Sequence, residues 1–414
     1  MRYPPLLLSA ALLAPASYAD IQFNGFLSAV GGVATDEPIR GYEKDATFKN
    51  DTLFGLQASA DISDKLSLTG QLVSRGADDY ATDLSWGYLA YNVSSKFRVR
   101  MGRFRTPFYS SSDFLEVGYA YPWITPADEV YALEFDNIEG VDLFYNTTLF
   151  DTVNVDLQAY YGSVSTDTPI NESASGDVID TETRNHFGIS VVLGVSDFSL
   201  RLSGHNAKLF VKDFQNAVNV PNIEAPDPRV APLVTVAQFI ASAKKLNKEN
   251  SLGADEFIVD IENRINDIEE TSATFLAASL RYDGEYGFAV AEGTNLTYDK
   301  GPSAEQTRFM LGAGVNIGSA TIFTSYSEAD DEYVDLTEQL VPFGDKFERS
   351  IAVLGAISES LGTTSNTISF GVRYDFEPGA AIKIQYDAVS TPDPLKPDED
   401  ITNGLLRFGV DLVF

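Results

Sequence analysis

The chain ends on residues 404–414, GLLRFGVDLVF, with an aromatic as its last residue. Leu406, Phe408, Val410, Leu412 and Phe414 alternate with Arg407, Gly409, Asp411 and Val413. A period of two, with one oily face and one mostly polar face, is the pattern of a β-strand. An unpaired strand at the end of a soluble domain would leave an exposed edge that invites association. A barrel that pairs its last strand with its first removes that edge. The stretch therefore predicts a closed antiparallel barrel.

The other end agrees. Residues 1–19 hold one basic residue, Arg2, then a mostly apolar run from Leu6 to Ala16, then small residues at Ser17 and Ala19. This is the pattern of a secretory signal peptide, too short to be a spanning helix. Cleavage is expected between Ala19 and Asp20, leaving residues 20–414 as one barrel. The chain has no cysteine, so an exported product needs a stabiliser other than disulfides, and a closed hydrogen-bonded barrel supplies one. No segment after residue 19 approaches the ~20 apolar residues of a membrane helix. The 44% hydrophobic content is instead spread in alternation, and the 12% aromatic content suits interfacial girdles. A net charge of −31 excludes nucleic acid as a partner, since a polyanion would be repelled.

Alternating segments recur along the chain. Phe54, Leu56, Ala58, Ala60 and Ile62 form one oily face; Leu84, Trp86, Tyr88 and Ala90 another. Val153 to Tyr161, Phe187 to Val195, Thr307 to Ile317 and Ile368 to Phe376 repeat it. Short turns fall near 63–65, 94–96, 148–152, 196–197, 284–286, 318–319 and 377–380. Longer loops fall near 35–51, 76–82, 104–136, 165–184, 207–270, 299–304, 328–365 and 391–402. The two sets alternate, as the periplasmic turns and external loops of a transmembrane barrel do. The count is sixteen strands, with 347–359 kept inside a loop to preserve the alternation and with the face of residues 287–298 poorly defined. Residues 207–270 read differently. Leu233, Val236, Ile240 and Ala243 predict a helix ending near Lys244-Lys245, and Ile258, Ile261, Ile265 and Ile268 a second. Together they make a helical insertion in the fifth external loop.

The polar faces carry charge. Arg75, Arg98, Arg100, Arg201, Arg281, Arg308, Arg373, Lys383 and Arg407 lie out of phase with the oily faces, as do Asp142, Asp156, Asp375, Asp387 and Asp411. So many charges in a dry core would be costly. A sixteen-strand barrel is wide enough to hold water instead.

At this point the mature chain resembles the general porins of Gram-negative bacteria, which are sixteen-stranded and trimeric. The pattern Arg407-x-Gly409-x-x-Leu412-x-Phe414 resembles the C-terminal signal by which the assembly machinery recognises such barrels, which makes Gly409, Leu412 and Phe414 an assembly signal. In that family the third external loop folds into the lumen and narrows it. The fifth strand here is KFRVRMGRF, residues 96–104. The segment after it is long, and its Phe108, Phe114, Tyr119, Tyr121, Trp123 and Tyr131 call for burial. The resemblance implies an integral outer-membrane protein contacting lipid and lipopolysaccharide, a homotrimer, no enzymatic activity, and passive diffusion of ions and small hydrophilic solutes. It places Asp113, Glu116, Asp128 and Glu129 of the loop opposite Arg98 and Arg100 at a constriction, with the remaining inward cations along the lumen wall.

Two other functions are compatible with a barrel. A receptor or adhesin would use the long loops 207–270 and 328–365. An outer-membrane hydrolase would need a catalytic constellation, and His186 and His205, expected to lie close across the 196–197 turn, supply only two imidazoles. No resident cofactor is implied. Acidic stretches at Asp78-Asp79, Asp330-Asp331-Glu332 and 398–400 offer oxygen ligands for Ca²⁺ or Mg²⁺ at the outer surface.

Overall fold

A computed structural model describes residues 21–133, 135–169, 178–212, 219–221, 233–250, 253–256, 258–259, 262–263, 270–300, 305–332, 364–393 and 396–414. Residues 1–19, expected to be a signal peptide, and the stretch 347–359 lie outside the described residues. The strands are β1 (Ile21–Ala34), β2 (Leu53–Asp61), β3 (Leu66–Arg75), β4 (Thr82–Asn92), β5 (Phe97–Arg105), β6 (Asn137–Leu149), β7 (Val153–Pro169), β8 (Val178–Val195) and β9 (Phe198–Val211). A short hairpin follows, β10 (Asn219–Pro221) with β11 (Leu233–Thr235). Then come β12 (Thr271–Gly284), β13 (Gly287–Tyr298), β14 (Glu305–Ile317), β15 (Ala320–Glu332), β16 (Thr364–Glu377), β17 (Ala380–Asp393) and β18 (Lys396–Val413). All except the short hairpin join in one closed barrel in which every neighbour is antiparallel.

The terminal strand closes the barrel. β18 pairs with β1 from Phe26↔Val413 to Ala34↔Leu405. Gly25 and Phe414 then exchange two backbone hydrogen bonds, of 2.7 and 3.0 Å. The Phe414 ring lies over Gly25 so closely that a Cβ there would fall 2.3 Å from it. Arg407 and Asp411 are buried on the inside of β18, while Leu406 and Phe408 are exposed on the outside. The same inversion holds around the wall: Leu276, Leu311, Ile322, Phe370, Val372 and Ile384 are exposed. A surface of this kind is stable only against lipid. Phe150, Phe198, Tyr286, Tyr374 and Phe376 stand exposed toward the short-turn rim, where amphipathic rings meet headgroups. Among the described residues no helix is long and apolar enough to cross a membrane. The strands do the crossing.

The structure corrects several local expectations. β7, β8, β17 and β18 run well into the segments read as loops at 165–184 and 391–402. Asp330, Asp331 and Glu332 end β15 and are not loop residues. The face Leu84-Trp86-Tyr88-Ala90 is not continuous. Gln71 pairs with Trp86 and Leu72 with Leu84, so Ser85 is the extra residue of a β-bulge, after which Tyr88 faces in and Leu89 out. β13 has a poor face pattern because its inward positions, Val290, Glu292, Thr294 and Leu296, are covered by protein and not by water.

In the fifth external loop, Leu233 belongs to β11 and not to a helix. Helix α1 (Val236–Asn250) starts one residue past Thr235, because Thr235 and Gln238 form a reciprocal capping box with hydrogen bonds of 3.1 and 3.2 Å. It runs beyond Lys244-Lys245 and buries Phe239, Ile240 and Ala243. Residues 255–256, 258–259 and 262–263 are helical too, and Lys244 pairs with Glu262 across the two segments. Ile261, Ile265 and Ile268 lie outside the described residues.

Deleting Phe414 removes both closing hydrogen bonds and the ring over Gly25. The folded yield in outer-membrane fractions is expected to fall several-fold. A deletion mutant recovered at the parental level would show that closure does not need this residue.

Candidate functional site: the third loop and the passage beside it

The segment between β5 and β6, residues 106–136, folds inside the barrel. Among its described residues the helical elements are two single 3-10 turns, Ser112–Phe114 and Gly118–Ala120. Its backbone therefore cannot satisfy itself, and unpaired buried N–H and C=O groups are expensive. The inner wall supplies the partners. Arg201 donates to Pro107 O at 2.5 Å and Ser203 to Phe108 O at 3.0 Å. Arg373 donates to Tyr119 O and Tyr121 O at 2.6 and 3.0 Å. Gln385 accepts from Ile124 N at 2.8 Å. Glu292 accepts from Ser110 N at 2.7 Å and from the Tyr131 hydroxyl at 2.6 Å. Burial beside that carboxylate pushes the Tyr131 phenol well above its ordinary range.

Lys383 shows the arrangement most fully. Its ammonium is completely buried. It reaches Gly118 O at 2.6 Å, Trp123 O at 2.8 Å and the Asp411 carboxylate at 2.8 Å. An ammonium has three protons, and here each has an acceptor. Ser28 donates to the other Asp411 oxygen at 2.5 Å. The approach is close enough to need glycine at 118, where a Cβ would lie 2.3 Å from Asp411.

The loop carboxylates also point mainly into the wall. Glu116 takes Arg105 at 2.8 Å, Arg75, Ser85 at 3.1 Å and Gln71 at 3.3 Å. The bulge in β4 is what aims Ser85 inward. Glu129 takes Arg40 at 2.6 Å, Thr367 at 2.5 Å and Ser327 at 2.7 Å. Asp128 takes Arg40 at 2.7 Å. Arg407 holds Thr125 and the Asp51 and Asp387 carboxylates, each at 2.8 Å. Burial pushes the Asp136 carboxyl above the usual range, and its partner Arg105 opposes the shift. An apolar cluster completes the seat: Phe108, Tyr109, Tyr121, Trp123 and Val130 of the loop pack on Phe275, Val290, Leu296, Met310 and Phe323 of β12 to β15.

The sequence reading brought the right segments together and misassigned several side chains. Glu116, Asp128 and Glu129 do not face across an open gap toward Arg98 and Arg100. Glu116 and Glu129 anchor the loop, because buried carboxylates need paired donors, and the exposed Asp128 pairs with Arg40 beside them. Arg308, Arg373, Lys383 and Arg407 are not a solvent-facing wall; the loop covers them. Arg308 binds Asp331 through two bonds of 2.7 and 3.1 Å and also donates to Glu129 O. Arg281 sits near the short-turn rim against Asp283. Asp113 remains exposed in the lumen, within electrostatic range of Arg100 and Arg201. Arg100 is held by Asp142 at 2.6 Å, and Arg98 lies over the Phe144 ring at 5.0 Å. Arg40, Gln71, Ser85, Arg105, Glu292 and Gln385 were missed. Glu292 alone gave a signal, as a solitary carboxylate on one face of its strand.

The loop leans on β9 and on β12 to β18, and Glu116 ties it to β3 and β4. A polar cavity of about 730 Å³ stays open beside it, lined by Arg75, Asp83, Arg103, Asp136 and Glu139 among others. Arg103 and Glu139, register partners on β5 and β6, pair at 3.1 Å on its lining. The expected cation site at Asp330, Asp331 and Glu332 is not a ligand set. Consecutive strand residues alternate faces; Asp331 turns inward to Arg308, while Asp330 and Glu332 are exposed. Among the described residues no group of three or more acidic or imidazole side chains is placed to hold a metal.

No protein-family model and no characterised protein matches the chain by sequence. Solved structures do match in fold. The anion-selective porin from Comamonas acidovorans aligns with a TM-score of 0.55 at 11% identity, over 96% of this chain and 100% of that one. OmpF of Salmonella typhi, in complex with daunomycin, aligns at 0.54 and 11%, over 96% and 98%. The trimer form of OmpT, an outer membrane protein of Vibrio cholerae, aligns at 0.51 and 11%, over 95% and 99%. The chain is an integral outer-membrane barrel with a porin-like fold.

Lys383→Met keeps the aliphatic stem and removes the ammonium, leaving Asp411 and two loop carbonyls without a donor. Breaking a buried pair in this way costs roughly 3–5 kcal/mol. A lowered midpoint of urea unfolding is expected, together with proteolysis inside 106–136 that the parent resists. An unchanged midpoint would show that the wall does not hold the loop.

Proposed function

We propose that the protein is a porin, a water-filled channel for passive diffusion of ions and small hydrophilic solutes, assembled as a homotrimer and without enzymatic activity. The observation that carries this reading is the inward-folded third loop, seated on one side of the lumen and leaving a polar, charged cavity on the other. Fixed charges beside a narrow aqueous path select solutes by size and field. The path runs between the loop, where Asp113 is exposed, and the wall of β5, β6 and β9. Arg98, Arg100 and Arg201 set three positive charges there against three negative ones, Asp113, Asp142 and Asp156, a balance of zero. The gap therefore carries fixed charges of both signs, while the chain's overall −31 gathers cations outside. The trimer form among the structural neighbours supports the assembly.

Hydrolysis lacks its constellation. The two imidazoles are bonded to the Tyr160 hydroxyl at 2.9 and 2.7 Å, and no carboxylate or activated nucleophile completes them among the described residues.

Reversal potentials in a salt gradient test the channel. At ~8 Å a unit charge is worth about 0.5–2 kcal/mol for effective dielectrics of ~80 to ~20, so single substitutions shift permeability ratios a few-fold. Arg98→Ala is expected to move selectivity toward cations and Asp113→Asn toward anions. A bilayer that stays silent with purified trimer would overturn the channel itself. Conduction with neither shift would move the constriction elsewhere.

A further inference from the structure

Behind the third loop, on the side of β8, β9, β12 and β13, lies a second cavity of about 60 Å³ that the conduction path does not use. At about 10–15 Å³ per water it has room for roughly four to six. Its walls are apolar and largely aromatic: Phe108, Phe135, Phe275, Leu296 and Tyr298. Leu133 and Phe135 line both this cavity and the polar one, so the two spaces adjoin along one short stretch of the loop.

Thr183, His186, His205 and Asn206 bring polar side chains to its lining. His205 is 4% exposed, and its Nε2 is buried with no hydrogen-bond partner. A buried donor or acceptor left unmade is expensive and calls for an explanation. The ring is not loose. Its Nδ1 lies 2.7 Å from the Tyr160 hydroxyl, which lies 2.9 Å from His186 Nε2, and His186 Nδ1 lies 3.5 Å from Thr183 Oγ1. Phe108 packs edge-on against His205 at 4.8 Å and stacks on His186 at 5.7 Å.

One proton on the Tyr160 oxygen governs this chain. The phenol donates to one imidazole and accepts from the other. If it donates to His205 Nδ1, then His205 Nε2 carries a proton and is a donor. If it donates to His186, then His205 Nδ1 must donate back, and His205 Nε2 is a bare acceptor. The relay thus offers either role at the same point in space with no change of charge.

We propose that this cavity is a binding site for a small aromatic solute carrying a ring hydroxyl. The ring lies among the aromatic walls and the hydroxyl bonds His205 Nε2. A hydroxyl is both donor and acceptor, so it fits either tautomer, and a neutral group matches a site with no carboxylate on either imidazole. Any polar remainder of a larger solute would extend past Leu133 and Phe135 into the charged cavity. The site deepens the channel reading by naming a class of solute held beside the path. Its test needs no conduction, so the two fail separately.

The chain has two histidines, both in this cluster, which gives a direct reporter. Full-length barrel with ¹⁵N-labelled histidine, folded in detergent, is titrated with phenol, and benzene serves as the ring without the hydroxyl. Phenol is expected to shift the His205 Nε2 resonance saturably and to bind roughly 3- to 10-fold more tightly than benzene, the worth of one hydrogen bond. Ala273→Leu fills the cavity while keeping both histidines, and it is expected to abolish the shift. Tyr160→Phe breaks the relay and is expected to weaken phenol and leave benzene unchanged. No saturable shift, a shift that survives Ala273→Leu, or equal affinity for benzene overturns the proposal.

Discussion

An irregular segment cannot lie inside a barrel unless something bonds its backbone, and this requirement organises the inner wall. Residues 106–136 carry carbonyl and amide groups that two single 3-10 turns cannot satisfy. Lys383, Arg373, Arg201 and Gln385 stand where those groups fall, on strands far apart in sequence. Lys383 and Arg373 each bring a carboxylate and a second carbonyl with them, since a buried charge without partners is costly. The loop and the wall are therefore one hydrogen-bonded body.

That seating divides the lumen into two sectors. Toward β12 to β15 the inner wall is apolar, and Val290, Leu296, Met310 and Phe323 meet the loop's aromatic rings as they would in a soluble core. Toward β3 to β7 an open polar cavity remains, with Arg103 and Glu139 paired on its lining. The sorting follows from burial. Where the loop excludes water, apolar contacts and fully paired ions are stable; where it does not, charged side chains stay hydrated and act at a distance. Most of the charges in the barrel are consequently structural, and the few left facing water set the field along the path.

The histidine cluster belongs to the boundary between these sectors. Phe108 closes it from the loop side, and Tyr160 ties it to the polar wall. It borrows dryness from one sector and access from the other, which is the usual requirement of a small-molecule site.

The architecture was legible in the chain because a barrel wall repeats one rule: apolar residues out, polar residues in, every second position. Leu406, Phe408 and Phe414 against Arg407 and Asp411 carry that rule by themselves, and lipid on one face and protein or water on the other enforce it in every strand. The inward loop was legible too, from its aromatic content and its place after β5. What each inward charge does was decided only in three dimensions. Arg98 and Lys383 share a phase, yet one lies over a ring at the open gap and the other is sealed beneath Gly118 and Trp123. β13 and the bulge at Ser85 broke the pattern where the loop, not water, covers the inner face. Alternation reports which side of the sheet a residue faces. It is silent on what stands opposite, because that depends on a loop whose path is set by contacts between residues up to 282 positions apart.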